Sequence, residues 1–182
     1  MIYYLPVRPI LLTAMNIDIT GFSDAYKVRR LEKADISDIY SLCSKNVLYY
    51  KYCPPFVTEQ SIINDMKALP PGKEANDKYY VGYYDADKLI AVMDLIMACP
   101  DEHTAFIGFF MTDVSVQNKG IGSEIIEELC SYLTGIGLSG VRLGWVRGNP
   151  QAAYFWKKNH FSELGLSYNT QNYTVMIAQR DL

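Results

Sequence analysis

The sequence has few of the residues and patterns that mark specialised chains. It has two histidines, His103 and His160, and four scattered cysteines, Cys43, Cys53, Cys99 and Cys130. No two cysteines form a CxxC pair, so no structural zinc site or other metal centre is expected. Without a secretory signal, cysteines so placed read as reduced thiols in a cytoplasm. There is no basic excess, since 17 Lys and Arg against 20 Asp and Glu leave a net charge of −3. A nucleic-acid surface needs a basic footprint, so none is expected. No apolar run reaches the roughly 18 residues of a membrane span. The N-terminus is apolar, but Pro6, Arg8 and Pro9 interrupt it and no basic start precedes it, which is poor for a signal peptide. Residues 1–14, ahead of Met15, read in one of two ways. They are an extension packing on the domain or on a partner, or they are a loose terminus, such as an upstream start codon would add. Assembly through this segment, in the simplest case a homodimer, is the corresponding partner expectation.

The 182 residues suit one domain, taken as 23–182, with 1–22 as an N-terminal extension. Such a chain buries roughly 70% of its unfolded surface and needs no staples. An apolar fraction of 49% with 20% charged residues excludes disorder and fibrous repeats. Tyrosine is in excess, at 15 residues against 2 Trp and 7 Phe.

Apolar periodicity orders the elements. Ala25–Leu31 alternates as a half-buried strand. Asp35 to Cys43 carries Ile36, Ile39, Tyr40 and Cys43 on one helical face. A loop with Pro54-Pro55 follows. Thr58 opens a second helix with an imperfect capping box, Ile62 following Ser61, and Pro70-Pro71-Gly72 ends it. Strands are expected at Lys78–Tyr84, Lys88–Met97 and Ala105–Val114, and a helix from Ile121 to Leu133. Val141–Val146 is another strand. Asn149-Pro150 opens a helix, as N-cap and first helical residue. Phe161–Tyr168 and Tyr173–Ala178 close the chain. The order βααβββαβαββ is an α/β layout with a mixed sheet.

Two glycine clusters differ in context. Gly135-Ile136-Gly137-Leu138-Ser139-Gly140 spells GxGxxG but follows a helix and precedes a strand, so it reads as a helix stop and not as a dinucleotide site. Gln117-Asn118-Lys119-Gly120-Ile121-Gly122 follows a strand and opens a helix. Unpartnered first-turn N–H groups and the helix dipole favour an anion there. Gly120 and Gly122 would let a pyrophosphate approach the backbone, and Lys119 adds charge. No GK[ST] follows, which argues against a nucleoside triphosphatase.

The pattern Gln117-x-x-Gly120-x-Gly122 between strand and helix resembles motif A of the GNAT superfamily of acetyl-CoA-dependent N-acetyltransferases. The segment from Asn149 through Ala152, Phe155-Trp156, Lys157 and Phe161 is similar to that family's motif B. The resemblance covers nearly the whole chain beyond residue 22. It implies the GNAT fold, a mixed sheet of about seven strands flanked by about four helices. It implies transfer of an acetyl group from acetyl-CoA to an amine of a small molecule or an exposed protein amine, by direct attack on the thioester. The alternative is a protein that binds acyl-CoA as a regulatory ligand with little turnover.

The resemblance also implies residue roles. Asn118, Lys119, Gly120, Ile121, Gly122 and Ser123 would hold the pyrophosphate through backbone N–H groups, and Gln117 would also belong to the cofactor site. Phe110, Met111, Thr112 and Val114 would splay from the next strand and pair with pantetheine. Asn149 would contact the cofactor, and Trp156 would pack or touch it. Many members carry a tyrosine seven residues after the Asn as the acid for the thiolate; here that position is Trp156, and indole N–H is no acid at neutral pH. Tyr154 should face away, so Tyr168 and Tyr173 are the remaining hydroxyl candidates. His160 replaces a usual glycine, which calls for a looser turn or a residue that tolerates positive φ. Some members that act on protein N-termini have a Glu at the position of Gly144. Asp94 and Asp113 lie on or beside central strands, and either could serve as a base directly or through water, though strand-end carboxylates more often serve turns; Asp113 is the candidate carried forward. Tyr49, Tyr50 and Tyr52, in the loop 46–56, are candidates to line an acceptor pocket.

Overall fold

The computed structural model describes residues 17–182. The expectation for residues 1–14 therefore lies outside the described residues. One seven-stranded sheet runs through the molecule in the order β1-β2-β3-β4-β5-β7-β6. Its strands are β1 (Lys27–Arg30), β2 (Lys78–Asp85), β3 (Lys88–Ile96), β4 (Thr104–Thr112), β5 (Gly140–Val146), β6 (Ser162–Asn169) and β7 (Thr174–Asp181). The β4–β5 pair is parallel, and the other pairs are antiparallel. The helices are α1 (Ile36–Cys43), α2 (Val47–Tyr52), α3 (Glu59–Lys67), α4 (Ile121–Gly135) and α5 (Pro150–Lys158).

The two faces of the sheet are separate cores, as strand alternation requires. On one face, Tyr83, Met93, Ile107 and Trp145 pack against Ile125, Ile126, Leu129 and Leu133 of α4 and Trp156 of α5. The four aliphatic α4 residues are fully buried. Each contributes about 2 kcal/mol, which fixes where the α4 N-terminus points. On the other face, Tyr80, Tyr84, Val92 and Met111 pack under Ile36, Ile39 and Leu42 of α1 and Ile62 of α3. Residues Ile19–Phe22 form a single 3-10 turn. It lies on α4, with the Phe22 ring 5.2 Å from that of Tyr132.

Three expectations change. The aromatic loop begins with a helix, α2, so the helices number five among the described residues. The capping box of α3 is closed: Thr58 Oγ1 accepts from Ser61 N–H, and Ser61 Oγ accepts from Thr58 N–H, both at 3.0 Å. Serine does at the third position what glutamate usually does. Strand β4 ends at Thr112, so Val114 sits in a 3-10 turn capped by Asp113.

Candidate functional site

The parallel pair at the centre of the sheet opens into a fork. Its pairing runs from Thr104–Gly140 to Ile107–Leu143 and stops, while β4 continues to Thr112 and β5 to Val146. A bulge in β4 marks the parting. Asp94 of β3 opposes Phe109 and Leu95 opposes Ile107, leaving Gly108 as the extra residue. Bulges bend a strand and raise its twist, which turns the rest of β4 away from β5.

Beyond β4 the chain turns into α4. Asn118 and Gly120 both take positive φ, +60° and +88°. The first helical bond here is Glu124 N–H to Gly120 C=O at 3.0 Å. The N–H groups of Ile121, Gly122 and Ser123 precede it and open outward, at the positive end of the helix dipole. Lys119 is exposed beside them. The two glycines differ in purpose. A Cβ on Gly120 would meet nothing within 4 Å, so its backbone angle is what demands glycine. A Cβ on Gly122 would lie 3.2 Å from the Phe155 ring, so Gly122 serves helix packing and not anion approach. The Gln117 side chain also turns inward. Its Nε2 donates to Asn46 Oδ1 at 2.7 Å and to Thr112 C=O at 3.2 Å. It ties the end of β4 to the α1–α2 connection.

Asn149 is buried at the N-terminus of α5, where its Oδ1 accepts from Ala152 N–H at 3.1 Å. Phe110 stacks on Phe155 at 5.9 Å and approaches Trp156 at 6.0 Å, so it faces α5. Met111 points to the opposite core. Trp156 is 8% exposed and also meets Phe155 and Phe161, at 4.9 and 5.1 Å. It is a packing residue of this aromatic cluster. Tyr154 is 71% exposed, on the far side of α5. His160 ends that helix at φ +68°, which accounts for the replaced glycine. At Gly144 a Cβ would sit 2.5 Å from Val175 Cγ1, so β5 cannot hold a glutamate there without repacking.

The face carrying α1 to α3 holds the tyrosines. Tyr49 meets Tyr50 at 5.0 Å and Phe109 at 5.9 Å; Tyr50 meets Phe56 at 4.9 Å. Tyr52 is half-buried, with Lys51 Nζ 6.0 Å from its ring. Tyr173 joins this group: burial pushes Tyr49 and Tyr173 above their ordinary pKa, and the hydroxyls of both meet the Cys53 thiol. Tyr168 is half-buried on β6 opposite Val175. Asp113 does not have the character of a base. Its carboxylate accepts from Ser115 N–H and Oγ and lies near Lys45 and Lys88, at 3.4 and 3.6 Å. Burial alone would raise its pKa, but these partners together outweigh burial and hold it down at about 2. Among the described residues no cluster of His, Cys, Asp and Glu is arranged to hold a metal.

The model of the acetyltransferase (GNAT) family matches residues 38–161. Among solved structures, the chain is similar to an acetyltransferase from Thermus thermophilus, at a TM-score of 0.70 and 14% identity, covering 87% of this chain and 97% of that one. It is similar to the PaiA N-acetyltransferase from Thermoplasma acidophilum in complex with coenzyme A, at 0.63 and 17%, covering 86% and 99%. It is also similar to the ribosomal-protein-S18-alanine N-acetyltransferase from Escherichia coli, at 0.61 and 15%, covering 86% and 93%. A comparison with curated protein sequences gives no match.

Proposed function

The chain belongs to the GNAT acetyltransferase family, with acetyl-CoA as acetyl donor, and on that premise we propose that it acetylates a primary amine of a small molecule or an exposed protein amine. One observation carries the reading: a fork between parallel strands that leads to an uncapped, glycine-opened helix N-terminus. The outward N–H groups from Asn118 to Ser123 suit a pyrophosphate, and Lys119 suits its charge. The free edge of β4 from Gly108 to Thr112 suits pantetheine as an added strand. Asn149 and Phe110 border the same opening from α5 and β4. Val114 and Gln117 take no part, one lying in a turn and the other facing inward.

The chemistry asks little of side chains. Backbone N–H groups at the bulge polarise the thioester carbonyl, and the fork fixes the carbonyl carbon for attack. The amine arrives from the opposite face of the sheet, lined by Tyr49, Tyr50, Phe109 and Tyr173. The name of the Escherichia coli neighbour specifies a protein N-terminal alanine. Gly144, closed off by Val175, gives this chain no carboxylate on β5. We place the protein in the cytoplasm, in keeping with four scattered cysteines and no CxxC pair.

Trp156 favours one second reading, a regulatory acyl-CoA binder. CoA release measured against alkylamines, a polyamine and peptides with free N-termini separates the two. Turnover of any one of them is expected. Tight acetyl-CoA binding with no turnover supports the regulatory reading instead.

A further inference from the structure

An ammonium must lose a proton before its nitrogen can attack a thioester. Asp113 is committed to its turn and its lysines, yet another sheet carboxylate is incompletely satisfied. Asp94 of β3 is 8% exposed. Its Oδ2 accepts from Lys78 Nζ at 2.7 Å, while its buried Oδ1 has no hydrogen-bond partner among the described residues. A native structure rarely leaves a carboxylate oxygen so, because the desolvation is uncompensated.

The surroundings of Asp94 give this a use. It opposes Phe109 at the β4 bulge, and a Cβ on the extra residue, Gly108, would lie 2.9 Å from Asp94 Oδ2. Gly108 is exposed. At that point Oδ2, the oxygen that Lys78 binds, is covered by backbone with no side chain. Gly108 is also the first β4 residue past the last β4–β5 pair, Ile107–Leu143. The carboxylate therefore stands at the mouth of the fork, on the face that carries α1 and α3. Facing it are Lys78 and Tyr80 from β2 and Asp65 from α3. Asp65 and Asp94 share Lys78 as their cationic neighbour.

Resting on the acetyltransferase reading, we propose that Asp94, approached across Gly108, is the catalytic residue that takes the proton from the acceptor ammonium. The carboxylate accepts one N–H proton and becomes a carboxylic acid. The freed nitrogen lone pair forms the C–N bond, and the C–S electron pair leaves with the thiolate. The nitrogen gives its remaining extra proton to the thiolate, and Asp94 returns its own to solvent. Burial raises the Asp94 pKa and Lys78 draws it back. A carboxylate held above its ordinary value is a better base than Asp113.

Two variants test this with phenethylamine, 1,4-diaminobutane and a lysine-containing peptide as probes. Asp94→Asn keeps an oxygen for Lys78, whose Nζ also donates to Ala68 C=O at 2.9 Å. Gly108→Ala keeps the carboxylate and covers it. Asp94→Asn is expected to bind acetyl-CoA like the wild type by calorimetry. For Asp94→Asn, kcat should fall about 10²- to 10⁴-fold and the acid limb of its pH profile should disappear. Gly108→Ala should lose about tenfold or more in kcat/KM. In ¹³C-carboxyl aspartate spectra recorded without acetyl-CoA, phenethylamine should move one wild-type resonance that is missing in Asp94→Asn. A folded Asp94→Asn protein with unchanged kcat and pH profile overturns the proposal and leaves the acetyltransferase reading standing. If Asp94→Asn does not fold, an unchanged rate in Gly108→Ala overturns it. A wild type that binds acetyl-CoA and acetylates none of the probes overturns the acetyltransferase reading, and the proposal with it.

Discussion

Replacing Gly120 with valine separates backbone strain from anion binding. Gly120 sits at φ +88° with open space where a Cβ would go. No neighbour blocks a side chain there, so the cost is that of a left-handed conformation, about 1–2 kcal/mol and more for a β-branched residue. The loop either bears that strain or relaxes to negative φ. Relaxation redirects the N–H groups ahead of α4. A hydrogen bond to a charged group is worth about 1.5–3 kcal/mol, and about 1.4 kcal/mol is tenfold in affinity. Loss of one such bond weakens CoA binding by about 10- to 100-fold. Gly137 is the control. It has φ +92° and equally open space, but lies past the C-terminus of α4. Gly137→Val should lower thermal stability by a comparable amount and leave CoA affinity untouched. Calorimetric titration of both variants with CoA, beside their melting curves, reads the two effects apart. Equal stability losses with equal, wild-type CoA affinities would refute the reasoning.

Other outcomes follow from the same geometry. Trp156→Tyr should leave kcat within about threefold, because the new hydroxyl would lie among Phe110, Phe155 and Phe161; Trp156→Ala should cost about 3–5 kcal/mol by chemical denaturation. Asp113 has a folded pKa of about 2 against an ordinary 3.8, so its contribution is present above pH 4 and lost as pH falls towards 2. Asp113→Asn should therefore destabilise by about 2 kcal/mol at pH 7, with the difference closing in acid denaturation curves by pH 2. Gly144→Glu should cost about 1–3 kcal/mol through its clash with Val175, and should not raise turnover of peptide N-termini.

The order of strands and most helices along the chain was legible in the sequence because strand and helix periods differ and glycine turns separate them. Asn149-Pro150 reads as a helix start from two residues, and Asn149 does cap α5. Helix α2 was not legible: six residues, VLYYKY, offer no clean helical stripe, and their aromatics suggest a strand or loop as readily. The inward turn of Gln117 depends on Asn46, 71 positions away. Asp94 was visible in the sequence as one of two carboxylates, with Asp113, that could serve as a base. Its importance rests on Lys78 across the β2–β3 pair and on the missing side chain of Gly108, and both are matters of register. Tyr173 joined Tyr49 only when the β6–β7 turn folded over Cys53. Much of the tyrosine excess goes to the sheet, where Tyr80, Tyr83 and Tyr84 are buried, and to the cluster of Tyr49 and Tyr50 beside Phe109.

A crystal structure with CoA tests the central claim most directly. The account predicts pyrophosphate oxygens within hydrogen-bond distance of the N–H groups from Asn118 to Ser123. It also predicts pantetheine along Gly108–Thr112 and the sulfur at the β4–β5 fork. CoA bound elsewhere, for instance in the 310 Å³ groove lined by Arg30, Lys67 and Lys78, with the fork empty, would contradict it.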